Sequence, residues 1–123
     1  MSLRRSRVLI GNLGPMMRAG VSRALAGEVE VSGEDASNEA IIADTQRLRP
    51  DAVVLDLSRN GSRELGEKVR ALAPETKVIL LADDESRMEI LGPAGAKPRR
   101  IDTAVSDALL SELRPRQATA ERT

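Results

Sequence analysis

The sequence predicts a single α/β domain built on a parallel sheet with helices on both faces. Short runs rich in valine, isoleucine and leucine alternate with longer segments whose apolar residues recur at helical spacing. The run Val53-Val54-Leu55 is apolar at every position, which is typical of a strand buried on both faces. A length of 123 residues fits one domain of this class.

The first strand, first helix and second strand are predicted near the amino terminus. Residues 7–11 form an apolar run that ends in a glycine. Pro15 suits the first turn of a helix, where its missing N–H has no intrahelical partner. This helix extends to about residue 26, Gly27 stops it, and a short strand follows at residues 29–32.

The second helix and the third strand have well-marked ends. Ser37 caps a helix that runs to Leu48, and Pro50 prevents its continuation. Residues 51–57 then form the third strand, which carries Asp56 at its carboxyl end.

The next helix and strand are predicted at residues 63–72 and 77–82, with Pro74 between them. Asp83 can start a fourth helix, which Gly92 ends within about two turns. The pattern is weakest in this fourth segment.

The last strand lies near residues 98–101, and its two arginines indicate a short strand or an edge strand. Asp102 can cap a final helix that runs to Leu113. These elements give five strands and five helices in alternation. They predict a domain over residues 1–113 and a frayed tail over 114–123.

The composition excludes several classes of function. The chain has no cysteine and no histidine, so thiol nucleophiles, disulfides, thiolate zinc sites and imidazole bases are absent. It has no Phe, Trp or Tyr to stack on a base or a flavin. Its formal net charge is zero, which argues against nucleic acid as a partner. No apolar run could span a bilayer and no signal peptide is visible, so we expect a cytoplasmic protein without membrane contact.

The topology predicts where a site should lie. In a doubly wound sheet of order 2-1-3-4-5, ligands bind beyond the carboxyl ends of the strands, between strands one and three. Those ends carry Asn12, Leu13, Asp56 and Leu57. Asp56 is the carboxylate that this topology singles out, although an aspartate at a strand end can also simply cap a loop or the next helix.

Several stretches of the chain together have a recognisable pattern. They are Arg7-Val8-Leu9-Ile10, Pro15, Arg18-Ala19-Gly20-Val21, Gly33-Glu34, Leu48-Arg49-Pro50-Asp51 and Val53-Val54-Leu55-Asp56-Leu57. In these stretches the chain resembles the receiver domains of bacterial response regulators. The resemblance covers about residues 5 to 113 and is strongest to the LuxR/NarL-type branch. It implies a flavodoxin-like (CheY-like) fold, and it implies that Asp56 stands at the position of the family's phosphoacceptor.

The chain departs from that family at the positions on which phosphorylation depends. Receivers hold Mg²⁺ with two acidic residues after strand one, where this chain has Asn12 and Leu13. Mg²⁺ requires hard oxygen ligands, so we expect its binding to be weak or lost and no cofactor to be present. The family's hydroxyl residue after strand four corresponds to Ala82, which has no side-chain hydrogen-bond donor.

Two further family positions fall near strand five. Counting back from the last helix places Asp102 at the position of the family's lysine, whereas a rival register uses Lys97. We favour Asp102 because it aligns the apolar residues of the last helix on one face. In that register the family's aromatic switch residue corresponds to Arg99.

Three functional hypotheses follow, none of which makes the protein an enzyme. The first is a pseudo-receiver, a two-component-type signalling domain that contacts protein partners, such as a histidine kinase or a regulator chain, without Mg²⁺-dependent phosphorylation. The second is a true phosphoacceptor, modified on Asp56 in a phosphorelay. The third is a small-ligand module that uses the backbone N–H groups of residues 11–14. A homodimer through helix four, strand five and helix five, a face marked by Arg99 and Arg100, is a further expectation.

Overall fold

The predicted alternation of strands and helices is present from the amino terminus to the fourth strand. A computed structural model describes residues 6–25, 27, 29–34, 37–82, 87–92, 98–101, 109, 112 and 113. Its elements are β1 (Arg7–Ile10), α1 (Pro15–Leu25), β2 (Glu30–Glu34), α2 (Asn38–Leu48), β3 (Ala52–Asp56), α3 (Ser62–Leu72), β4 (Lys77–Leu81), β5 (Met88–Leu91) and β6 (Arg99–Ile101). Through β4, the bounds lie within two residues of those predicted, because local signals fix them.

The ends of α2 show how these signals act. The Ser37 hydroxyl accepts a hydrogen bond from the backbone N–H of Ala40 at 3.1 Å, which satisfies a donor of the first turn. At the other end Arg49 has a left-handed backbone, with φ of 48°, and its N–H bonds to the Thr45 carbonyl. Pro50 follows directly, so the helix stops where the sequence predicts.

The described residues form a sheet of six strands in the order β2-β1-β3-β4-β5-β6. β1 to β4 are parallel to one another. β5 is antiparallel to β4, and β6 is antiparallel to β5. The first four strands therefore have the predicted order of a doubly wound flavodoxin-like sheet, and that fold class is confirmed.

The region after β4 departs from the prediction in two ways. Residues 88–91 form β5 where the end of a fourth helix was expected. Arg99–Ile101 form the predicted last strand, but it pairs with β5 and is not adjacent to β4. The sheet is thus not wholly parallel, although β6 runs in the same direction as β1 to β4. A four-residue segment satisfies its backbone groups more fully against an open sheet edge than in a single helical turn.

Side chains of the sheet divide into two cores, one on each face, as the period of a strand requires. The α1 face contains residues from β1, β3, β4 and β5 together with α1, and it also holds Leu109 and Leu113. The α3 face contains the alternate strand residues packed against Ile41 of α2 and Leu65 and Val69 of α3. Every one of these core side chains is aliphatic or Met, as the composition requires.

Gly66 lets α3 approach the sheet closely. A Cβ at this position would lie 3.1 Å from Leu91 Cδ1 and 3.2 Å from Val78 Cγ1. The helix therefore packs across both β4 and β5, and β5 gains cover on the α3 face. The predicted tail at residues 114–123 and most of the predicted last helix lie outside the described residues.

Candidate functional site

The predicted site lies where β1 and β3 end side by side. Ile10 pairs with Val54 in the parallel register, and the Gly11 N–H continues the ladder to the Val54 carbonyl at 2.8 Å. Because β1 lies between β2 and β3, this point is where the strand order reverses. The absence of a side chain at Gly11 leaves room for its neighbours, since a Cβ would lie only 2.5 Å from Leu55 Cδ2 and 3.0 Å from Ile41 Cδ1, and those side chains would have to shift.

Asn12 is buried, with 6% of its surface exposed, and both polar atoms of its amide are in use. Its Oδ1 accepts a hydrogen bond of 2.9 Å from the backbone N–H of Asp56. Its Nδ2 donates a hydrogen bond of 3.2 Å to Ser62 Oγ. The backbone donor at Asp56 fixes which way the amide points. The side chain therefore ties the end of β1 to the end of β3 and to the start of α3.

Leu13 points into the core of the α1 face. Only 2% of its surface is exposed, and it belongs to the same apolar cluster as Met17 and Val21 of α1. Its carbonyl accepts a long hydrogen bond, 3.4 Å, from the guanidinium of Arg18. The second position at which receivers place an acid thus contributes hydrocarbon to the interior.

The Asp56 side chain is 10% exposed and is held by its own loop. Its Oδ1 accepts a hydrogen bond of 2.8 Å from the backbone N–H of Ser58. Arg59 Nε lies 3.8 Å from its Oδ2, and the Arg59 side chain is 53% exposed. The carboxylate is therefore balanced by an arginine three residues further along the chain.

Ala82 directly follows β4, at the same end of the sheet as Asn12 and Asp56, and it is buried. Its N–H donates to the Arg87 carbonyl at 2.9 Å and so closes the connection between β4 and β5. The backbone N–H of Leu57 donates to the carbonyl of Leu81, the residue before Ala82. The structure therefore brings Asn12, Asp56 and Ala82 to the same end of the sheet, and the Ala82 methyl group offers no hydrogen bond there.

Arg99 does not join this group. It lies on β6, three strands away from Asp56, which is a separation of roughly 14 Å at ordinary strand spacing. Its guanidinium pairs with Glu112 Oε1 at 2.9 Å, and Lys77 Nζ bonds the same oxygen at 2.7 Å. Lys97 and Asp102, the two alternatives for the lysine position, lie outside the described residues.

Glu112 thus joins the carboxyl-terminal helical residues to β4 and β6. Burial opposes its ionisation, but hydrogen bonds from Arg99 and Lys77, together with their charges, outweigh that effect and lower the pKa of Glu112 below its ordinary value. The residues beyond 108 that the structure describes are consequently held by the two ion pairs of Glu112 and by the buried side chains of Leu109 and Leu113.

Two residues of the site were not singled out by the sequence. Ser62 accepts from Asn12, and Arg59 approaches Asp56. A serine next to the predicted start of a helix could have drawn attention to Ser62, but its hydrogen-bond partner depends on the position of β1. Nothing in the sequence pointed to Arg59 except that it lies three residues after Asp56.

Other features bear on what the site can hold. Among the described residues there is no group of three or more acidic side chains that could hold a metal ion. A groove of about 470 Å³ lies at the opposite end of the sheet, where β3 and β4 begin and α2 and α3 end.

Within the described part of the chain no helix has the length and apolar character needed to cross a bilayer.

The comparisons with known proteins identify the fold. No family model and no curated protein matches the sequence. The structure does match solved structures, among them the signal receiver domain of NarL from Mycobacterium tuberculosis. That match has a TM-score of 0.64 and 24% identity, and it covers 90% of this chain and 98% of that domain.

Three further matches have lower scores. The receiver (REC) domain of AraT, a response regulator from Geobacillus stearothermophilus, has a TM-score of 0.54 at 23% identity, covering 63% of this chain and 64% of that one. The isolated REC domain of RcsB from Salmonella enterica serovar Typhimurium, solved with phosphomimetic BeF₃⁻, has a TM-score of 0.56 at 23% identity over 64% of this chain and 62% of that one. The anti-anti-sigma factor PhyR from Bartonella quintana, solved with the anti-sigma factor NepR, has a TM-score of 0.56 at 11% identity over 88% and 46%. The chain therefore has the fold of response-regulator receiver domains.

Proposed function

We propose that this chain is a receiver-like signalling domain that acts through protein contacts and not through Mg²⁺-dependent phosphorylation of Asp56. The observation that carries the proposal is the use of Asn12, whose Oδ1 accepts from the Asp56 N–H and whose Nδ2 donates to Ser62. An amide engaged in this way is part of the framework of the site.

The surroundings of Asp56 support this view. Mg²⁺ needs several hard oxygen ligands in a nearly octahedral array. Leu13 supplies hydrocarbon, and the Asn12 oxygen already has a backbone partner. A phosphoryl group on Asp56 would also find a methyl group at Ala82, where receivers use a hydroxyl. Without the metal and this donor, phosphoryl transfer lacks the charge neutralisation on which its transition state depends.

A function through protein contact is compatible with the same fold. PhyR, which shares it, was solved bound to the protein NepR. For the present chain we propose a protein partner of two-component type, either a histidine kinase or a regulator chain. The homodimer expected through helix four, strand five and helix five stays a prediction; the structure changes only the description of that face, since residues 88–91 form β5 and not helix.

One observation favours the second candidate, a true phosphoacceptor. Arg59 Nε lies 3.8 Å from the Asp56 carboxylate, and this exposed arginine could supply positive charge in place of a metal ion. A phosphoryl group on Asp56 could be paired by it. The groove of about 470 Å³, which is lined by described residues, lies at the other end of the sheet and does not include Asp56, so it does not support a small ligand beside that carboxylate.

Amide NMR distinguishes the two candidates. We would titrate MgCl₂ to millimolar concentrations, with and without beryllium fluoride, into the native chain and into Asp56→Asn as the matched control. For a contact domain we expect no saturable shift at the amides of Gly11, Asn12 and Ser58. Incubation with acetyl phosphate and Mg²⁺ should likewise leave the intact mass unchanged.

Saturable shifts in the native chain that are absent from Asp56→Asn would overturn the proposal and establish the phosphoacceptor. Arg59→Ala then separates the roles of metal and arginine. If Arg59 replaces the metal, this variant loses the beryllium fluoride response.

A further inference from the structure

The loop between β3 and α3 contains the dipeptide Asn60-Gly61, which lies in a turn directly before the helix. Both residues are exposed. Gly61 stands at the N-cap of α3 with a left-handed backbone, φ 85°, and offers no side chain to cap the helix. No part of the proposed function uses Asn60.

An asparagine followed by a glycine is a chemically reactive pair. The backbone nitrogen of the second residue can attack the side-chain carbonyl carbon of the first and close a five-membered ring. Glycine leaves this nitrogen accessible, because it has no Cβ to crowd the approach and its backbone adopts many conformations. Because both groups belong to adjacent residues, their effective concentration toward each other is high.

The two reacting groups are free in the described part of the chain. Neither the side-chain amide of Asn60 nor the N–H of Gly61 takes part in a hydrogen bond there. The Gly61 carbonyl accepts from the Leu65 N–H at 2.8 Å, so the helix holds the carbonyl side of Gly61 and not its nitrogen. The loop therefore presents the dipeptide to solvent with both groups available.

The two other asparagines of the chain do not have this combination. Asn12 is buried, uses both polar atoms of its amide and precedes Leu13. Asn38 and Glu39 form the first turn of α2, where the backbone is held in the helix. A nitrogen fixed in this way is not free to close a ring with the side chain before it.

We propose that Asn60 is a site of deamidation that proceeds without an enzyme. The Gly61 nitrogen loses its proton to a base from solvent and forms a bond to Asn60 Cγ. The bond from Cγ to the amide nitrogen breaks, and ammonia leaves a cyclic imide behind. Water then opens the imide at either carbonyl carbon, so that position 60 becomes aspartate or isoaspartate. Nothing is oxidised or reduced.

Both products change the surroundings of the candidate site. Each carries a new carboxylate next to Arg59, the residue that approaches Asp56, and close to the start of α3, where negative charge is favourable. Isoaspartate also adds one atom to the main chain between β3 and α3. Ser62, which accepts from Asn12 at 3.2 Å, follows two residues later, so we expect the longer connection to displace it. The reaction needs neither a metal nor Asp56, and so it stands independently of the proposed function.

Peptide mapping by mass spectrometry tests the site. The native chain is incubated at mildly alkaline pH and digested before aspartate residues, and the fragment that begins at Asp56 is followed. Its mass should rise by about 1 Da, because an NH₂ group is replaced by OH. The protease cleaves before a new aspartate but not before isoaspartate, which separates the two products. A synthetic peptide of residues 57–65 is the reference, and the folded chain should react within about tenfold of its rate.

Asn60→Gln should react at least about tenfold more slowly than the native chain, because attack on its longer side chain closes a less favourable six-membered ring. Asn38→Gln is the matched control and should react like the native chain. Circular dichroism confirms that each variant is folded, and Asn60→Ser replaces Asn60→Gln if that variant is not. A native chain that keeps its amide after the peptide is fully converted, a mass gain at Asn12 or Asn38 in its place, or an Asn60→Gln variant that reacts as fast as the native chain would each overturn the proposal.

Amide NMR of the incubated chain tests the displacement of Ser62, with Asn60→Asp as the reference for the aspartate product. The side-chain NH₂ resonances of Asn12 should appear as a second, shifted set whose intensity equals the isoaspartate fraction. Asn60→Asp should show one set. A single set in both samples would refute the displacement.

Discussion

Replacing Asn12 by alanine tests whether this amide is a structural tie between β1, β3 and α3. The substitution removes the acceptor of the Asp56 N–H, a bond of 2.9 Å, and the donor to Ser62 Oγ, a bond of 3.2 Å. All three residues are buried. Water therefore does not readily replace the lost partners.

The expected loss follows from these two bonds. A buried N–H left without an acceptor costs about 1–3 kcal/mol. The Ser62 hydroxyl keeps its own proton and lone pairs, so its share is closer to one ordinary hydrogen bond, about 1 kcal/mol. Asn12→Ala should therefore lower the free energy of unfolding by about 2–4 kcal/mol, a large part of the 5–15 kcal/mol that is usual for a domain.

Urea unfolding followed by far-ultraviolet circular dichroism is the appropriate assay, because the chain has no Trp or Tyr for fluorescence. Asn60→Ala, at an exposed position of the loop before α3, is the control and should change the free energy by less than about 0.5 kcal/mol. If the two variants are equally stable, Asn12 is not a structural tie. The oxygen of Asn12 would then be available to a cation, and the proposed function would lose its main support.

Three further predictions concern the framework around the site. Gly11→Ala places a Cβ 2.5 Å from Leu55 Cδ2 in a filled core, so urea unfolding should show a loss of about 1–3 kcal/mol, and an unchanged midpoint would show that Leu55 can move aside. Arg63→Ala should destabilise more than Glu89→Gln in the same assay, because Glu89 is buried and two hydrogen bonds from Arg63 hold its carboxylate; equal effects would contradict this. The lowered pKa of Glu112 means that its charged contact stabilises the fold above its ordinary pKa of 4.5 and that this contribution is lost as the pH falls through the lower folded-state value. The melting temperature of Glu112→Gln should accordingly fall less between neutral and acid pH than that of the native chain. If the melting temperatures of the two chains fall equally with pH, Glu112 does not make this contribution.

Residues 7 to 82 show how much of the fold local sequence can predict. Ser37 and Pro50 delimit α2, and the apolar run before Asp56 identifies a strand buried on both faces. Each of these signals acts through the backbone of neighbouring residues, so the rest of the molecule does not alter it. The order of the first four strands follows as well, because a doubly wound sheet of this kind has few permitted connections.

The segment at residues 88–91 could not be predicted in the same way. Four apolar or buried residues fit a turn of helix and a short strand equally well. The choice depends on β4, whose free edge offers partners to the backbone of β5, and on Gly66, which lets α3 cover Leu91. Those contacts join residues distant in sequence, and they also separate Arg99 from Asp56.

The candidate site, like the fold, has features set by the sequence alone and features set by contacts distant in sequence. The sequence alone determined which groups stand beyond β1 and β3: a carboxylate at Asp56, an amide at Asn12 and hydrocarbon at Leu13. Only the tertiary structure decided what they do. The register of β1 on β3 brings Asn12 Oδ1 to the Asp56 N–H, and the start of α3 brings Ser62 to Nδ2. A hydrogen bond between residues 44 positions apart requires the assembled sheet, because the two groups meet only when β1 and β3 lie side by side in this register.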